Sequence, residues 1–339
     1  MEGAFRRTRL SVVLPFTFVL YACGGGTTSG NSALASEAPL PGEEIFEEAA
    51  LIDADNALSV AGAAHHLSVD GQVGGETEQL LEDNVNADAG ASWFLDVHQR
   101  TLRQLDRWHA IGFGGAQVSN TIPCDVGGEV EATLTSTGVR IRYDQCDDGQ
   151  GEVLHGVVEL RDLELDETAP GVVDGTATVV YEDLQITFHD ERPTQIGNGT
   201  LELAWHEDSN TWQATDRFAG TLVLQLGEEF AGFQDAERIT VENWTAQWGG
   251  LLDWENTVRS MRTASSALGG YVDLATPTPV TGDAHEACPL GGIVRADGAQ
   301  GSVLEVLYGE DATGAVDIHL NGEPFASYSS CQPFLENLD

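Results

Sequence analysis

A two-residue alternation of apolar and polar side chains runs through the sequence from about Gly127 onward, and it constrains the fold more than any other feature. Such alternation is typical of antiparallel strands that bury one face. On the order of ten to thirteen runs fit the pattern, and a sheet of that width curls, splits or closes on itself. We therefore predict a mainly β protein built on a large curled or barrel-like antiparallel sheet. The clearest runs are 129–134, 139–143, 158–161, 200–203, 221–226, 239–244, 303–306 and 316–320.

Clusters of Asp, Asn and Gly separate the runs and predict short turns. The phase of the alternation also predicts which side chains face the core and which face water. We expect Glu202, Glu242 and Asp317 to face water. The predicted turns are 147–149, 174–175, 197–199 and 321–322. The predicted inward residues are Leu201, Leu203, Leu222, Leu224, Leu226, Ile239, Val241, Ile318 and Leu320.

Two short helices are predicted ahead of the strands. The first begins with capping residues at Asp53 and runs to about His65. The second covers about Ser92 to Ala110, where apolar residues recur at helical spacing. Its stripe needs an apolar partner, so we expect both helices to pack on one face or end of the sheet. That stripe contains Phe94, Val97, Leu105 and Trp108.

The first 22 residues have the pattern of an export signal. Three arginines precede an apolar run at 10–20, which is shorter than the roughly 20 residues that a membrane-spanning helix needs. Residues 23–42 are rich in Gly, Ser and Thr, a composition typical of a flexible tether. We therefore expect the chain to be exported, and we expect its folded part to begin after the tether.

The signal ends in Leu20-Tyr21-Ala22-Cys23, which resembles the lipobox of bacterial lipoproteins. The resemblance implies lipidation of Cys23 after cleavage, and Gly24 is compatible with sorting to the outer membrane. The alternative is an ordinary secretory signal that happens to contain a cysteine. The mature chain also resembles, diffusely, an uncharacterised group of β-rich exported lipoproteins. That second resemblance rests on the DNALSVA helix start, the Gly-rich hairpins and the C-x-x-G-G stretches, and it implies no activity.

The charge balance is strongly acidic, with 55 Asp and Glu against 15 basic residues, and none of the 15 is lysine. A surface this negative repels phosphate backbones and anionic lipid headgroups. We therefore exclude nucleic acid as a partner. We expect the membrane to be contacted only through the N-terminal lipid, and any protein or small-molecule partner is unknown from sequence.

Four cysteines remain beside Cys23, and an even number in an exported chain favours disulfides. Of the three possible pairings we favour Cys124–Cys146 and Cys288–Cys331, because each pair brackets a run of hairpins. A metal site is the alternative, but no C-x-x-C spacing occurs.

Motifs for catalysis and cofactors are absent from the sequence. It contains no G-x-S-x-G, H-E-x-x-H, phosphate loop or dinucleotide fingerprint, so we predict no catalytic residue and no cofactor.

Weak calcium candidates are Asp53, Asp55, Asp147 and Asp148, whose alternative roles are a helix cap and a turn. His65 and His66 are expected at the surface or at a helix end. We expect the tryptophans of the strand region to fill the core rather than to form an exposed surface that binds sugar rings or apolar ligands. These residues are Trp205, Trp212, Trp244, Trp248 and Trp254.

These patterns divide the chain into a signal (1–22), a tether (23–42), a helical segment (43–126), an antiparallel β region (127–280) and C-terminal hairpins with a disulfide (281–339). The expected function is that of a lipid-anchored cell-envelope protein acting as a noncatalytic binding or structural module. The alternatives are a carrier that encloses an apolar ligand in its curled sheet, and a hydrolase with an unrecognised site.

Overall fold

A computed structural model describes residues 40–69, 120–147, 149, 151–169, 171–189, 194–208, 210–244, 251–283, 288–309 and 314–337. The predicted second helix, Cys23 and Asp148 lie outside these residues. Within them the chain forms two short 3₁₀ helices, at Glu43–Phe46 and Ala299–Gly301, two α-helices and fourteen strands. The helices are α1 (Ala57–Val69) and α2 (Cys331–Leu335). None of the described helices is long and apolar enough to cross a membrane.

The strands form one antiparallel sheet in which every strand pairs with its neighbours in the sequence. The sheet is curled but not closed, with β1 and β14 at its edges, and the predicted mainly β fold is confirmed. The strands are β1 (Asn120–Pro123), β2 (Gly127–Leu134), β3 (Gly138–Asp147), β4 (Glu152–Ala169), β5 (Val172–Phe188), β6 (Thr194–Glu207), β7 (Thr211–Leu226), β8 (Glu229–Trp244), β9 (Leu251–Ser265), β10 (Gly270–Asp283), β11 (Gly291–Asp297), β12 (Val303–Tyr308), β13 (Val316–Leu320) and β14 (Glu323–Tyr328).

The proposed boundary between residues 280 and 281 falls inside β10. That strand pairs with β9 on one side and with β11 on the other. The β region and the C-terminal hairpins are therefore parts of one sheet, and Pro39–Asp339 form one compact unit.

One face of the sheet, called the inner face here, carries a continuous apolar cluster that reaches from β2 to β13. Leu201, Leu222 and Ile318 are buried in this cluster, while Leu203 and Leu320 pack against it partly exposed, as predicted. Leu224 is also buried. Leu226 was predicted to be buried but is 37% exposed, because it is the last residue of β7 before the hairpin turn.

The predicted orientation of the 239–244 run is wrong. Arg238 and Thr240 are buried in the sheet, whereas Ile239 and Val241 are only half-buried and face the other way. The cause is a bulge at Asp235, whose φ of 46° is left-handed. Phe233 precedes the bulge and Ala236 follows it, and both lie in the inner cluster, so the alternation changes phase there. Glu242 consequently lies on the face of Arg238 and is half-buried rather than directed at water.

Two of the predicted turns are also wrong, since Asp174-Gly175 and Gly197–Gly199 lie inside β5 and β6. A Cβ added to Gly175 would fall 2.1 Å from the ring of its cross-strand neighbour Trp205. Glycine is needed at this position so that the indole can lie over the neighbouring strand. The turns predicted at 147–149 and 321–322 do fall at strand ends.

The first predicted helix is present as α1 and begins four residues later than expected. Asp53 precedes it, and its carbonyl oxygen accepts a hydrogen bond from the Ala57 N–H. The helix packs against β9–β12 and buries small residues along most of its surface. At its C-terminal end the Asn256 side chain, which is fully buried, donates to the Ser68 carbonyl at 3.1 Å.

His65 and His66 are buried, so the predicted surface position is wrong, although His66 does lie in the last turn of α1. His65 Nδ1 lies 2.8 Å from the hydroxyl of Tyr308 on β12, and its ring meets Phe334 of α2 edge to face. The small residues of α1 let the helix approach the sheet closely, and the two imidazoles fill the remaining space.

Both favoured cysteine pairs lie at disulfide distance. Cys124 and Cys146 have a Cα–Cα distance of 5.5 Å and link the residue after β1 to β3. Cys288 and Cys331 are 5.7 Å apart and connect the residues before β11 to α2.

Candidate functional site

A cavity of about 320 Å³ lies on the outer face of the sheet, opposite the inner apolar cluster, and is formed by β2–β5. The strand register places its side chains in two neighbouring rows. The first row crosses the strands as Glu131, Arg142, Val157 and Glu182, and the second as Thr133, Arg140, Glu159 and Val180. Because side chains alternate along each strand, these residues point away from Ile141 and Val158, which are buried in the inner cluster.

A pair of irregular residues produces the depression. The register between β4 and β5 shifts between His155 and Val157, and Asp183 on β5 has a left-handed φ of 48°. Gly156 lies beside the shift with a φ of 104°, and a Cβ there would fall 2.2 Å from the Asp183 carbonyl oxygen. Glycine is therefore needed at 156, where the backbone of β5 comes close, and the bulge interrupts the regular spacing of side chains on the outer face. Asn198 on β6 fixes Asp183, since its Nδ2 donates to Oδ1 of that residue at 3.2 Å.

Four charged side chains form an ion-pair network along one side of the cavity. Arg140 Nη1 donates to Glu159 Oε2 and to Glu182 Oε1, both at 2.9 Å. Arg161 Nε lies 2.8 Å from Glu159 Oε1. Glu159 is therefore held between two guanidinium groups, and its side chain is only 7% exposed. The network holds Arg140 and Glu182 in fixed positions at the edge of the cavity.

The hydrogen bonds of this network stabilise the charged forms of Glu159 and Arg140. Hydrogen bonds from Arg161, and then from Arg140, hold the pKa of the Glu159 carboxyl below its ordinary value despite burial. Hydrogen bonding to Glu182, followed by that to Glu159, raises the pKa of Arg140. A general acid at neutral pH needs a carboxyl with a raised pKa. Glu159 has the opposite shift and is suited to fixing its neighbours.

Arg142 differs from the other arginines of the cavity. Its side chain is exposed, and among the described residues it has no ion-pair partner within 4.0 Å. Its register neighbours are Glu131 on β2 and Val157 on β4, so an apolar side chain adjoins it on one side. His155 also lines the cavity, and its Nδ1 lies 3.8 Å from Asp144 Oδ1, beyond hydrogen-bonding distance. Arg142 therefore has donors available to a bound molecule.

Of the described calcium candidates, Asp53 and Asp147 accept local hydrogen bonds. Asp53 Oδ1 accepts from the Asp55 N–H at 2.9 Å, which is a turn ahead of α1. Asp147 Oδ1 accepts from the Gly149 N–H at 2.9 Å, and its Oδ2 lies 3.0 Å from His189 Nε2. In the described part of the chain, no group of three or more His, Cys, Asp or Glu is placed to hold a metal ion.

The described indole side chains lie on the inner face, away from the cavity. Trp254 is buried in the apolar cluster, over Gly282 of the neighbouring strand. Trp205 and Trp212 are half-buried, at inward positions of β6 and β7. The side chain of Trp244 and all of Trp248 lie outside the described residues.

The sequence analysis did not predict the cavity, although two of its residues occur in a pattern that places them on one face. Arg140 and Arg142 occur two residues apart in an alternating run, which predicts that they share a face. The facing residues on β2, β4 and β5 follow only from the register of three hairpins. No protein family, curated protein or solved structure matches the chain.

Proposed function

We propose that this chain is a lipid-anchored cell-envelope protein that acts as a noncatalytic binding module, with the outer-face cavity of β2–β5 as its binding site. The observation that carries the proposal is the pre-formed network of Arg140, Glu159, Arg161 and Glu182 beside Arg142, which has no ion-pair partner in the part of the chain that the structure describes. A site whose polar groups are fixed before binding loses little entropy when a ligand arrives.

The location in the envelope is supported by the cysteine pairs and by the predicted export signal. Disulfides form and persist in oxidising compartments such as the bacterial periplasm and the cell surface. The Leu20-Tyr21-Ala22-Cys23 sequence supplies the expected site of lipidation. The 55 acidic residues would repel anionic lipid headgroups, which favours contact with the membrane through the N-terminal lipid alone.

The observed packing gives less support to the two alternatives. A carrier of an apolar ligand needs an inner cavity lined by Leu and Trp, whereas Leu201, Leu222 and Trp254 are packed within the inner cluster. A hydrolase needs groups with tuned proton affinity. The lowered pKa of Glu159 is instead that of a structural ion pair.

Native mass spectrometry of the protein isolated from its own envelope tests the binding function. The wild type should retain a noncovalent small molecule and release it chemically unchanged. Arg142→Ala should lose that molecule. Arg259→Ala should keep it, because Arg259 is an exposed arginine on β9, outside the cavity. Equal retention by the Arg142 variant, a wild type without a ligand, or conversion of the ligand would contradict the proposal.

A further inference from the structure

We infer that the outer-face cavity accepts a neutral polyhydroxylated ligand, a carbohydrate of one or two sugar units. This inference rests on the proposed binding function and specifies the class of its ligand. A volume of about 320 Å³ is at the lower end of the range for small-molecule sites, about 300–1,000 Å³.

The charges around the cavity disfavour a ligand with a strong net charge of either sign. An anion would meet Arg142 but also the carboxylates of Glu131, Glu182 and Asp183, in a protein of formal net charge −40. A cation would be attracted by the same carboxylates but repelled by Arg140 and Arg142, and the Glu182 carboxylate is already paired with Arg140. A ligand with a strong net charge of either sign therefore meets side chains of its own sign in the cavity.

Hydroxyl groups match the available donors and acceptors better. Each hydroxyl both donates and accepts, so one ligand can donate to carboxylate oxygens and accept from Arg142. The network leaves acceptor capacity on Glu182, because a carboxylate offers about four lone-pair positions and Arg140 occupies only part of them. Arg142 supplies N–H groups in a fixed planar arrangement.

An apolar strip completes the match with a sugar ring. Val157 lies in the same row as Arg142 and Glu182, directly between them. A pyranose ring has C–H groups on its faces and hydroxyls at its rim. A ring over Val157 would therefore place apolar atoms on the valine while its rim hydroxyls reach the two charged neighbours.

The experiment compares sugars that share a ring and differ in charge. Binding to the purified mature protein is measured by saturation-transfer NMR and by titration with the methyl glycosides of glucose, galactose and mannose, with glucuronate as the anion and glucosamine as the cation. We expect at least one neutral glycoside to bind, and its affinity to change by less than about twofold between about 0.1 M and about 1 M NaCl. The same titration with a neutral hexasaccharide shows which source of sugar the site takes. An affinity equal to that of the glycoside indicates a free sugar, and a higher affinity indicates a segment of a polysaccharide.

Two arginine variants locate the site. Arg142→Ala should weaken binding of the neutral glycoside by about tenfold or more, the usual effect of losing a hydrogen bond to a charged group. Arg259→Ala is the matched control and should bind like the wild type. Circular dichroism confirms that both variants fold, which is expected because each arginine is exposed.

The outcomes separate the ligand class from the binding function. If only glucuronate or only glucosamine binds, and Arg142→Ala abolishes that binding, the carbohydrate must be charged and this inference is overturned while the binding site stands. If a neutral glycoside binds equally well to Arg142→Ala, the location in the cavity is overturned. If no probe binds, the ligand class is overturned, and retention of a native ligand decides the binding function separately.

Discussion

Replacing Glu159 with Gln tests whether the ion-pair network stabilises the outer face of the sheet. The substitution keeps the side-chain shape and removes the charge, so an amide N–H₂ would face Arg140 or Arg161. Hydrogen bonds to charged groups contribute about 1.5–3 kcal/mol each. The Arg140 and Arg161 side chains are 37% and 39% exposed, and this exposure to solvent reduces the contribution. We therefore expect a total loss of about 2 kcal/mol in the free energy of unfolding at pH 7.

The pH dependence of that loss gives a second test with a defined sign. The pKa of Glu159 is lower in the folded protein, so its stabilising effect is fully present above the unfolded-state pKa of about 4.3. The effect is lost as the pH falls through the folded-state pKa. The difference between the wild type and Glu159→Gln should therefore be largest near neutral pH and should shrink at acidic pH.

Urea unfolding followed by circular dichroism at pH 7 and at pH 3 measures both effects. Glu202→Gln is the control, because its side chain is 62% exposed and lies 3.7 Å from Arg217. Such a pair contributes less than about 0.5 kcal/mol. If Glu159→Gln costs no more than the control at pH 7, or if its cost is unchanged at pH 3, the stabilising role of the network is refuted.

Three further predictions concern the core, the cysteines and the second helix. Leu201→Ala should cost about 2–5 kcal/mol because Leu201 is fully buried, whereas Leu226→Ala should cost less than about 0.5 kcal/mol; equal costs in urea unfolding would contradict the assigned faces. Replacing both Cys288 and Cys331 with Ser should cost about 3–4 kcal/mol, given a separation of 43 residues, and non-reducing peptide mapping should recover the two as one linked pair; four free thiols would contradict it. Trp108→Ala should cost about 3–5 kcal/mol if the helix predicted at 92–110 packs on the sheet, and an unchanged melting temperature would contradict that packing.

The antiparallel sheet could be predicted because many of its strands contain a run with the alternation that one buried face imposes. Leu201 and Ile318 illustrate this, since each lies in a run with a single apolar phase and each is buried. The cysteine pairs could also be predicted, because successive strands lie side by side in a sheet whose order follows the sequence.

The phase of β8 could not be predicted, because a single bulge at Asp235 moves Ile239 and Val241 to the other face. Asp-Gly and Gly-Asn-Gly also read as turns in isolation. At Gly175 the decisive contact is the ring of Trp205 on the neighbouring strand, and the local sequence does not contain it.

The candidate site was harder to predict than the fold, since its side chains come from four strands. Arg142 and Glu182 are 40 positions apart and share a row only because the β4–β5 register shifts beside Gly156. A one-residue difference in that register would place Glu182 on the inner face. The position of this register shift therefore decides whether the charged side chains come together in one cavity.

The proposed role in the cell envelope depends most directly on Cys23. Mass spectrometry of the N-terminal peptide, from protein purified out of native membranes, measures the state of this residue. The chain should begin at Cys23 and carry acyl groups, and Cys23→Ser should be released from the membrane fraction, since several acyl chains are needed for stable anchoring. A mature protein with an unmodified Cys23, or a Cys23→Ser variant that still sediments with membranes, would contradict the anchoring and with it the proposed function.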